Sequence, residues 1–209
     1  MKRKKKLWPI LLPAALLLAA AGTILYYAGD PWGFARSVSP EEAALRMQVV
    51  ETAERYLGCN EADGSHEAII DLYNSHTPLA QDYEMQYTDS WCSAYVSAVA
   101  IACDLTDIIP TECSCQRHIA LFQELGCWEE SDDYVPLPGD YIFYAWDEPF
   151  SFGDCTGWAD HVGIVVGTAG PMMKVIEGNK SDSVSYRYIP IDHPDIRGYG
   201  LPDYGSKTE

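Results

Sequence analysis

The chain is poor in positive charge. It has 14 lysine and arginine residues against 31 aspartate and glutamate residues, a formal net charge of −17 over 209 residues. Five of those cations are Lys2, Arg3, Lys4, Lys5 and Lys6, so the remainder carries 9 basic against 31 acidic residues and a net charge of −22. Such a body repels polyanions, and no basic patch offers a footprint for nucleic acid. Internal repeats and low-complexity tracts are absent beyond the N-terminal basic run, which excludes solenoid architectures. Disorder is excluded by 47% hydrophobic and 12% aromatic residues, which describe a globular chain of one ordinary domain plus a short extra segment.

One long apolar run is present. Leu7 to Ala28 holds 22 residues without a charge. As a helix it would be about 33 Å long, against a hydrocarbon core of about 30 Å. Trp8 and the Tyr26-Tyr27 pair suit the two interfaces, and the basic flank puts the N-terminus in the cytoplasm. Ala19-Ala20-Ala21 before Gly22 offers a signal-peptidase site, but the apolar run continues through Tyr27, which favours an uncleaved signal anchor. Either way the rest of the chain is exported. Residues 1–6 thus read as a cytoplasmic segment, 7–28 as the anchor, 29–38 as a linker and 39–205 as the domain that carries the chemistry.

That domain opens with Ser39-Pro40-Glu41-Glu42, a helix start with a capping serine, proline at the first helical position and glutamate three residues after the cap. Ala43, Met47, Val50 and Leu57 mark its apolar face, and Gly58 its stop. A short helix is predicted over His66 to Tyr73, a loop over Asp82 to Asp89, and a helix from Cys115 to Leu125 ending at Gly126. Between these, Asp89 and Ser90 are expected N-cap residues before Trp91-Cys92-Ser93-Ala94-Tyr95-Val96, where Cys92, Val96, Val99 and Cys103 fall on one helical face. A cysteine in a first helical turn feels the positive end of the macrodipole, which favours the thiolate. After Pro138-Gly139-Asp140 the texture turns to strands: Tyr141 to Tyr144, His161 to Gly167, Lys174 to Glu177 and Val184 to Ile191. Helices first and a strand meander after predict an α+β fold, with helices packed on an antiparallel sheet.

The strand half carries the partners a cysteine nucleophile needs. His161 starts an apolar strand, and histidine is the usual base for a cysteine. Its ring needs a third group to fix orientation. Glu177 and Asn179 end the next strand, beside the start of its antiparallel neighbour. Taken alone, a histidine on an apolar strand is more often structural; the combination is what points to chemistry.

In this order and with these flanks the chain resembles the cysteine, histidine-dependent amidohydrolase/peptidase (CHAP) family of papain-like cell-wall hydrolases. The residues that carry the resemblance are Trp91-Cys92-Ser93-Ala94-Tyr95-Val96, Pro138-Gly139-Asp140, Asp160-His161-Val162-Gly163-Ile164-Val165, Glu177-Gly178-Asn179-Lys180-Ser181-Asp182-Ser183-Val184 and the closing Gly198-Tyr199-Gly200-Leu201-Pro202, spanning roughly residues 40–204. The resemblance implies a papain-like fold, Cys92 as nucleophile, His161 as its base, and Glu177 and Asn179 as assistants to the histidine. It implies peptidoglycan as substrate, cleaved by an endopeptidase or N-acetylmuramoyl-L-alanine amidase, with no cofactor required; some members of the family bind calcium near the nucleophile. Trp91 departs from the glutamine that often precedes the nucleophile in the family. The rival readings are a non-catalytic wall-binding or scaffold module and a protein-processing cysteine peptidase.

Other features read more plainly. Cys113-x-Cys115-x-x-His118 lacks a fourth ligand and has an unusual cysteine step for zinc. The six cysteines besides Cys92 allow 15 pairings, so no disulfide can be assigned. Asp82, Glu84 and Asp89 read as a solvated acidic loop rather than a calcium site, and His66, His76, His118 and His193 as packing or surface residues. Gln86 and Tyr87 are the candidate second oxyanion donors, and Lys180 or Arg187 the candidate cation for a substrate carboxylate.

Overall fold

The structure, a computed structural model, describes residues 38–146 and 157–208. It is α+β: four helices packed on a six-stranded antiparallel sheet. The helices are α1 (Pro40–Glu54), α2 (Glu67–Asn74), α3 (Cys92–Ala102) and α4 (Cys115–Glu124). The strands are β1 (Trp128–Glu129), β2 (Tyr141–Tyr144), β3 (His161–Ala169), β4 (Met172–Glu177), β5 (Ser185–Pro190) and β6 (Ile196–Gly200). Strands β2 to β5 form the expected meander, and β6 returns to insert between β1 and β2. The expected segment from Leu7 to Ala28 lies outside the described residues, as do all but the last residue of the polar, glycine-containing loop expected over Asp147 to Gly157. Among the described residues no helix is long and apolar enough to cross a membrane.

The opening helix forms as its sequence dictates: the Ser39 hydroxyl accepts the Glu42 amide at 3.0 Å, and Pro40 occupies the first turn. It ends at Glu54, earlier than Gly58, so Leu57 falls in the following turns and is exposed rather than on the apolar face. Helix α3 is apolar all round, and residues 92–100 are all buried, so it is the central element of the helical layer. Its cap is Trp91, with no side-chain hydrogen bond, and not Asp89 or Ser90. Asp89 is diverted into the preceding turn, where it accepts the Gln86 amide at 2.7 Å and the Tyr83 hydroxyl at 2.9 Å. Trp91 is fully buried and its indole donates to Glu61 at 2.9 Å. Trp91 therefore works as a packed plug at the root of α3.

On the sheet face toward the helices, Val162, Ile164, Val166 and Ile176 join the core of α1 to α4. The alternate residues Val165, Met173 and Val175 pack with Ile142, Tyr144 and Tyr199 on the other face. The Pro138-Gly139-Asp140 turn ties the layers together. Asp140 is fully buried and accepts from Arg46 of α1 at 2.7 Å, from the Tyr134 hydroxyl at 2.6 Å and from the Leu137 amide at 2.8 Å. Short β1 and β6 do not stand out in sequence, since their glycines and single alternations carry little strand signal.

Two glycines set how closely the layers approach. A Cβ on Gly178, just past β4, would stand 2.5 Å from the Tyr95 Cβ on α3. A Cβ on Gly163 would stand 2.8 Å from the Glu177 Cγ and 2.6 Å from the Val175 Cγ1. The first opens room for α3 against the end of β4; the second opens room for the Glu177 side chain to cross β3.

Candidate active site

Cys92 and His161 are each the first residue of their element, so the nucleophile candidate and its base meet where α3 and β3 both begin. Cys92 is the first helical residue, where amide donors lack helical partners. Register delivers the third group. Gly163 on β3 pairs with Glu177 on β4, which makes His161 and Glu177 diagonal neighbours on one sheet face. Glu177 Oε2 lies 3.1 Å from His161 Nε2. The same logic brings in Arg187: it pairs with Val175, is diagonal to Glu177, and donates from Nε to Glu177 Oε1 at 2.6 Å. Glu177 is fully buried, so both its oxygens are held by cationic partners. Tyr144 stacks on the His161 ring, and Trp146 on Tyr144, with the Arg187 guanidinium over Trp146.

The electrostatics follow from this chain of contacts. Burial pushes the His161 pKa down, but hydrogen bonds to Cys92 and Glu177 outweigh it and raise it to about 9. For Glu177 burial pushes upward, and the His161 and Arg187 contacts prevail, holding it below the ordinary carboxylate value. The Cys92 thiol is held well below its ordinary value by a hydrogen bond from Cys115 first, against burial, and then by the hydrogen bond and charge of His161 and the Ser93 amide. With Glu177 on Nε2, the His161 nitrogen left for Cys92 is Nδ1. The two shifts run in the directions that favour a thiolate–imidazolium pair.

Asn179 lies on the cleft wall with His161. It takes a left-handed conformation, φ 55°, in the turn after β4, and among the described residues it makes no hydrogen bond to the His161 ring. It lines an open cleft of about 460 Å³ with Trp146, Asp160, His161, Lys180, Ser181 and Arg187. Gln86 and Tyr87 turn away from the nucleophile. The Gln86 amide donates to the Glu84 carbonyl, and the Tyr87 hydroxyl to Asp71. Arg187 is committed to Glu177, which leaves Lys180, bonded only loosely to Ser185 at 3.4 Å, as the freer of the two cations considered for a substrate carboxylate.

Two residues that matter here have a different place from the one their sequence context suggests. Arg187 looked like a substrate cation, although strand parity from Val175 would have placed it against Glu177. Cys115 looked like part of a weak metal motif. Its sulfur lies 3.5 Å from that of Cys92, and both are buried. The signal was a shared one: each cysteine opens a helix. His118, the third member of that motif, is used for structure. Its Nε2 faces the Pro110 carbonyl at 2.8 Å and its Nδ1 the Ser93 hydroxyl at 3.0 Å. The six cysteines among the described residues are free thiols.

No family model and no curated protein matches the chain. Among solved structures, the crystal structure of Ly7917 is similar at 15% identity and a TM-score of 0.35, over 53% of this chain and 53% of that one. The chain thus spans about half the length of the solved structure it matches.

Proposed function

We propose that the chain is a membrane-anchored, exported cysteine hydrolase with a papain-like, CHAP-type domain that cuts amide or peptide bonds of peptidoglycan. The observation that carries the reading is the continuous polar chain Arg187–Glu177–His161–Cys92, in which a buried carboxylate holds an imidazolium beside a thiolate. A structural histidine has no use for a buried carboxylate with its own arginine; an acid–base group does.

The Cys92 thiolate attacks the amide carbonyl, and the carbonyl π electrons move onto oxygen. The oxyanion meets the Cys92 backbone N–H at the start of α3. Collapse expels the amine, which takes the proton from His161, and an acyl thioester remains on Cys92. His161, now neutral, removes a proton from water as it attacks the thioester, and the acid is released. Glu177 stabilises the imidazolium at both stages, and Arg187 keeps Glu177 ionised. Asn179 and Lys180, on the cleft wall beside His161, are positioned to meet substrate. Lys180 there suits a stem-peptide carboxylate, which favours peptide-bond cleavage over amidase action. The anchor offsets the repulsion between an acidic domain and an anionic wall by holding the enzyme at high effective concentration.

The test is digestion of purified muropeptides by the full-length chain in mild detergent, with Cys92→Ala alongside, and product masses as readout. New amines inside the stem or cross-bridge identify an endopeptidase; intact stem peptides freed from glycan identify an amidase. No new product with the wild type, or equal product with Cys92→Ala, overturns the reading. A cytoplasm-dependent reporter fused at the C-terminus is expected to stay silent.

A further inference from the structure

Cys115 has the geometry of a chemical partner for Cys92. The first turns of α3 and α4 converge, and the two sulfurs that open them lie 3.5 Å apart in a buried contact. The remaining described thiols are placed otherwise. Cys113, two residues earlier, lies against the Glu112 carboxylate, and Cys103, one helix length away, faces the Gln48 carbonyl. Cys92 is thus matched with one thiol in particular. The match is also chemically asymmetric. The hydrogen bond to Cys92 and burial push the Cys115 pKa well up, while the hydrogen bonds from Cys115 and His161 push that of Cys92 well down. An ionised attacking sulfur with a protonated thiol in reach is the arrangement in which an oxidised nucleophile is captured before it oxidises further.

We propose that Cys115 is the resolving partner of the nucleophile: a peroxide oxidant converts Cys92 and Cys115 into a disulfide that closes the site reversibly. The Cys92 thiolate attacks one peroxide oxygen, the O–O bond breaks, and Cys92 becomes a sulfenic acid with hydroxide leaving. The His161 imidazolium protonates that hydroxide to water. The Cys115 sulfur then attacks the Cys92 sulfur, the S–O bond breaks, and the departing oxygen leaves as a second water with the Cys115 proton. Two sulfurs lose two electrons in total and the peroxide gains them. The sulfurs approach by about 1.5 Å to reach bonding distance, a shift within the reach of side-chain rotation at two first-turn positions. The oxidised site has lost its nucleophile, and His161 has lost the thiolate while keeping Glu177. That this silences a hydrolase rests on the function proposed above; the disulfide itself does not.

The experiment treats the full-length chain, in mild detergent, with limiting hydrogen peroxide. Readout is by peptide mass mapping and by iodoacetamide labelling of Cys92, neither of which needs a substrate. No lysine or arginine lies between Arg55 and Arg117, so chymotrypsin and a glutamate-specific protease replace trypsin to separate the two cysteines. A Cys92–Cys115 linked peptide is expected, with Cys92 labelling reduced roughly tenfold and restored by dithiothreitol. In Cys115→Ser, Cys92 is expected to progress to sulfinic and sulfonic acid, with labelling not restored. Over-oxidised Cys92 in the wild type without a linked peptide, or a disulfide that joins Cys92 to another cysteine, overturns the proposal. The wild-type map decides this whether or not the variant folds. A linked peptide in a protein that cuts no muropeptide would keep the redox pair and sink only the hydrolase reading.

Discussion

Two histidines in this domain have opposite fates, one fully buried and one largely so. His118 on α4 and His161 on β3 both have two partnered ring nitrogens and aromatic neighbours. His118 faces a carbonyl and a hydroxyl, and burial pushes its pKa down to about 4. His161 faces a carboxylate and a thiolate, and its pKa rises to about 9. Neutral partners cannot repay the cost of burying an imidazolium, whereas anionic ones can. His118 is therefore a neutral imidazole with its proton on Nε2, held for the Pro110 carbonyl, and it has no proton to give a leaving group at neutral pH. His161, raised to about 9, favours its protonated form over the physiological range and has a proton to give. Burial and hydrogen-bond count do not separate a structural histidine from an acid–base one; the charge of what it faces does.

The sharpest way to break this contrast is to remove each ring. His161→Ala is expected to cost activity as heavily as Cys92→Ala, about 10⁴-fold or more, because members of such a unit fail together. His118→Ala is expected to act on stability instead, losing about 2–4 kcal/mol by leaving a cavity and unpaired Pro110 and Ser93 groups. Denaturant unfolding and muropeptide turnover on both variants decide it. An inactive but fully stable His118→Ala protein would overturn the division of roles.

Next in size is the spacing that lets the helical and sheet halves meet. Gly178→Ala places a methyl group 2.5 Å from the Tyr95 Cβ, and neither backbone nor Cβ can swing away. The end of β4 must retreat from α3, which carries Cys92. Activity is expected to fall about 100-fold, as for misplacements near 1 Å, with a stability loss of about 1–3 kcal/mol. Unchanged turnover in a folded Gly178→Ala protein would show that the close approach does not position the site.

A smaller effect sharpens the electrostatic half of the contrast. Glu177→Gln keeps the shape and removes the anion from His161. Burial, which lowers the imidazole pKa, then meets less opposition. If the proposed hydrolysis holds, the wild-type chain is expected to lose activity as pH rises through about 9, where His161 gives up its proton. In Glu177→Gln that alkaline limb moves to lower pH, and the maximum rate falls by roughly 10- to 100-fold, at the low end of acid–base contributions. The sign for stability is the same. His161 is raised from 6.5, so its charge stabilises the fold fully below about pH 6.5 and ceases to do so as pH rises through about 9. An unmoved alkaline limb would show that Glu177 does not set the His161 charge.

What could be read in the sequence and what could not divides along similar lines. Local rules located Ser39 as a cap, Tyr141 to Tyr144 as a strand and the order of helices before strands, because capping chemistry and alternation act within a few residues. Asp89 was misread as the cap of α3 because a competing local bond, to the Gln86 amide, is equally available to an aspartate. The strand order that puts β6 between β1 and β2 rests on long-range pairing that no local pattern encodes. At the candidate site, the residue types of Cys92, His161 and Glu177 were legible. The Cys92–Cys115 contact was not, because it depends on how two helix starts converge across an intervening stretch of irregular chain.

Asn179 gives the smallest expected effect and the finest test of the comparison. The resemblance gives it a share in assisting His161 along with Glu177. The geometry divides them: Glu177 Oε2 is 3.1 Å from the ring, and Asn179 lines the cleft in a left-handed turn. Asparagine tolerates that conformation better than alanine does, so Asn179→Ala carries a modest backbone penalty of about 1 kcal/mol. Asn179→Gly removes the side chain without that penalty. If Asn179 orients the ring, both variants lower the His161 pKa and shift the alkaline limb as Glu177→Gln does. If it meets substrate, KM rises in both, by about threefold for one lost neutral hydrogen bond of roughly 0.5–1 kcal/mol, and the limb stays where it is. The second outcome is expected. A pH–rate profile of Asn179→Gly beside that of Glu177→Gln separates the two, and a shared downward shift would return Asn179 to the histidine's support.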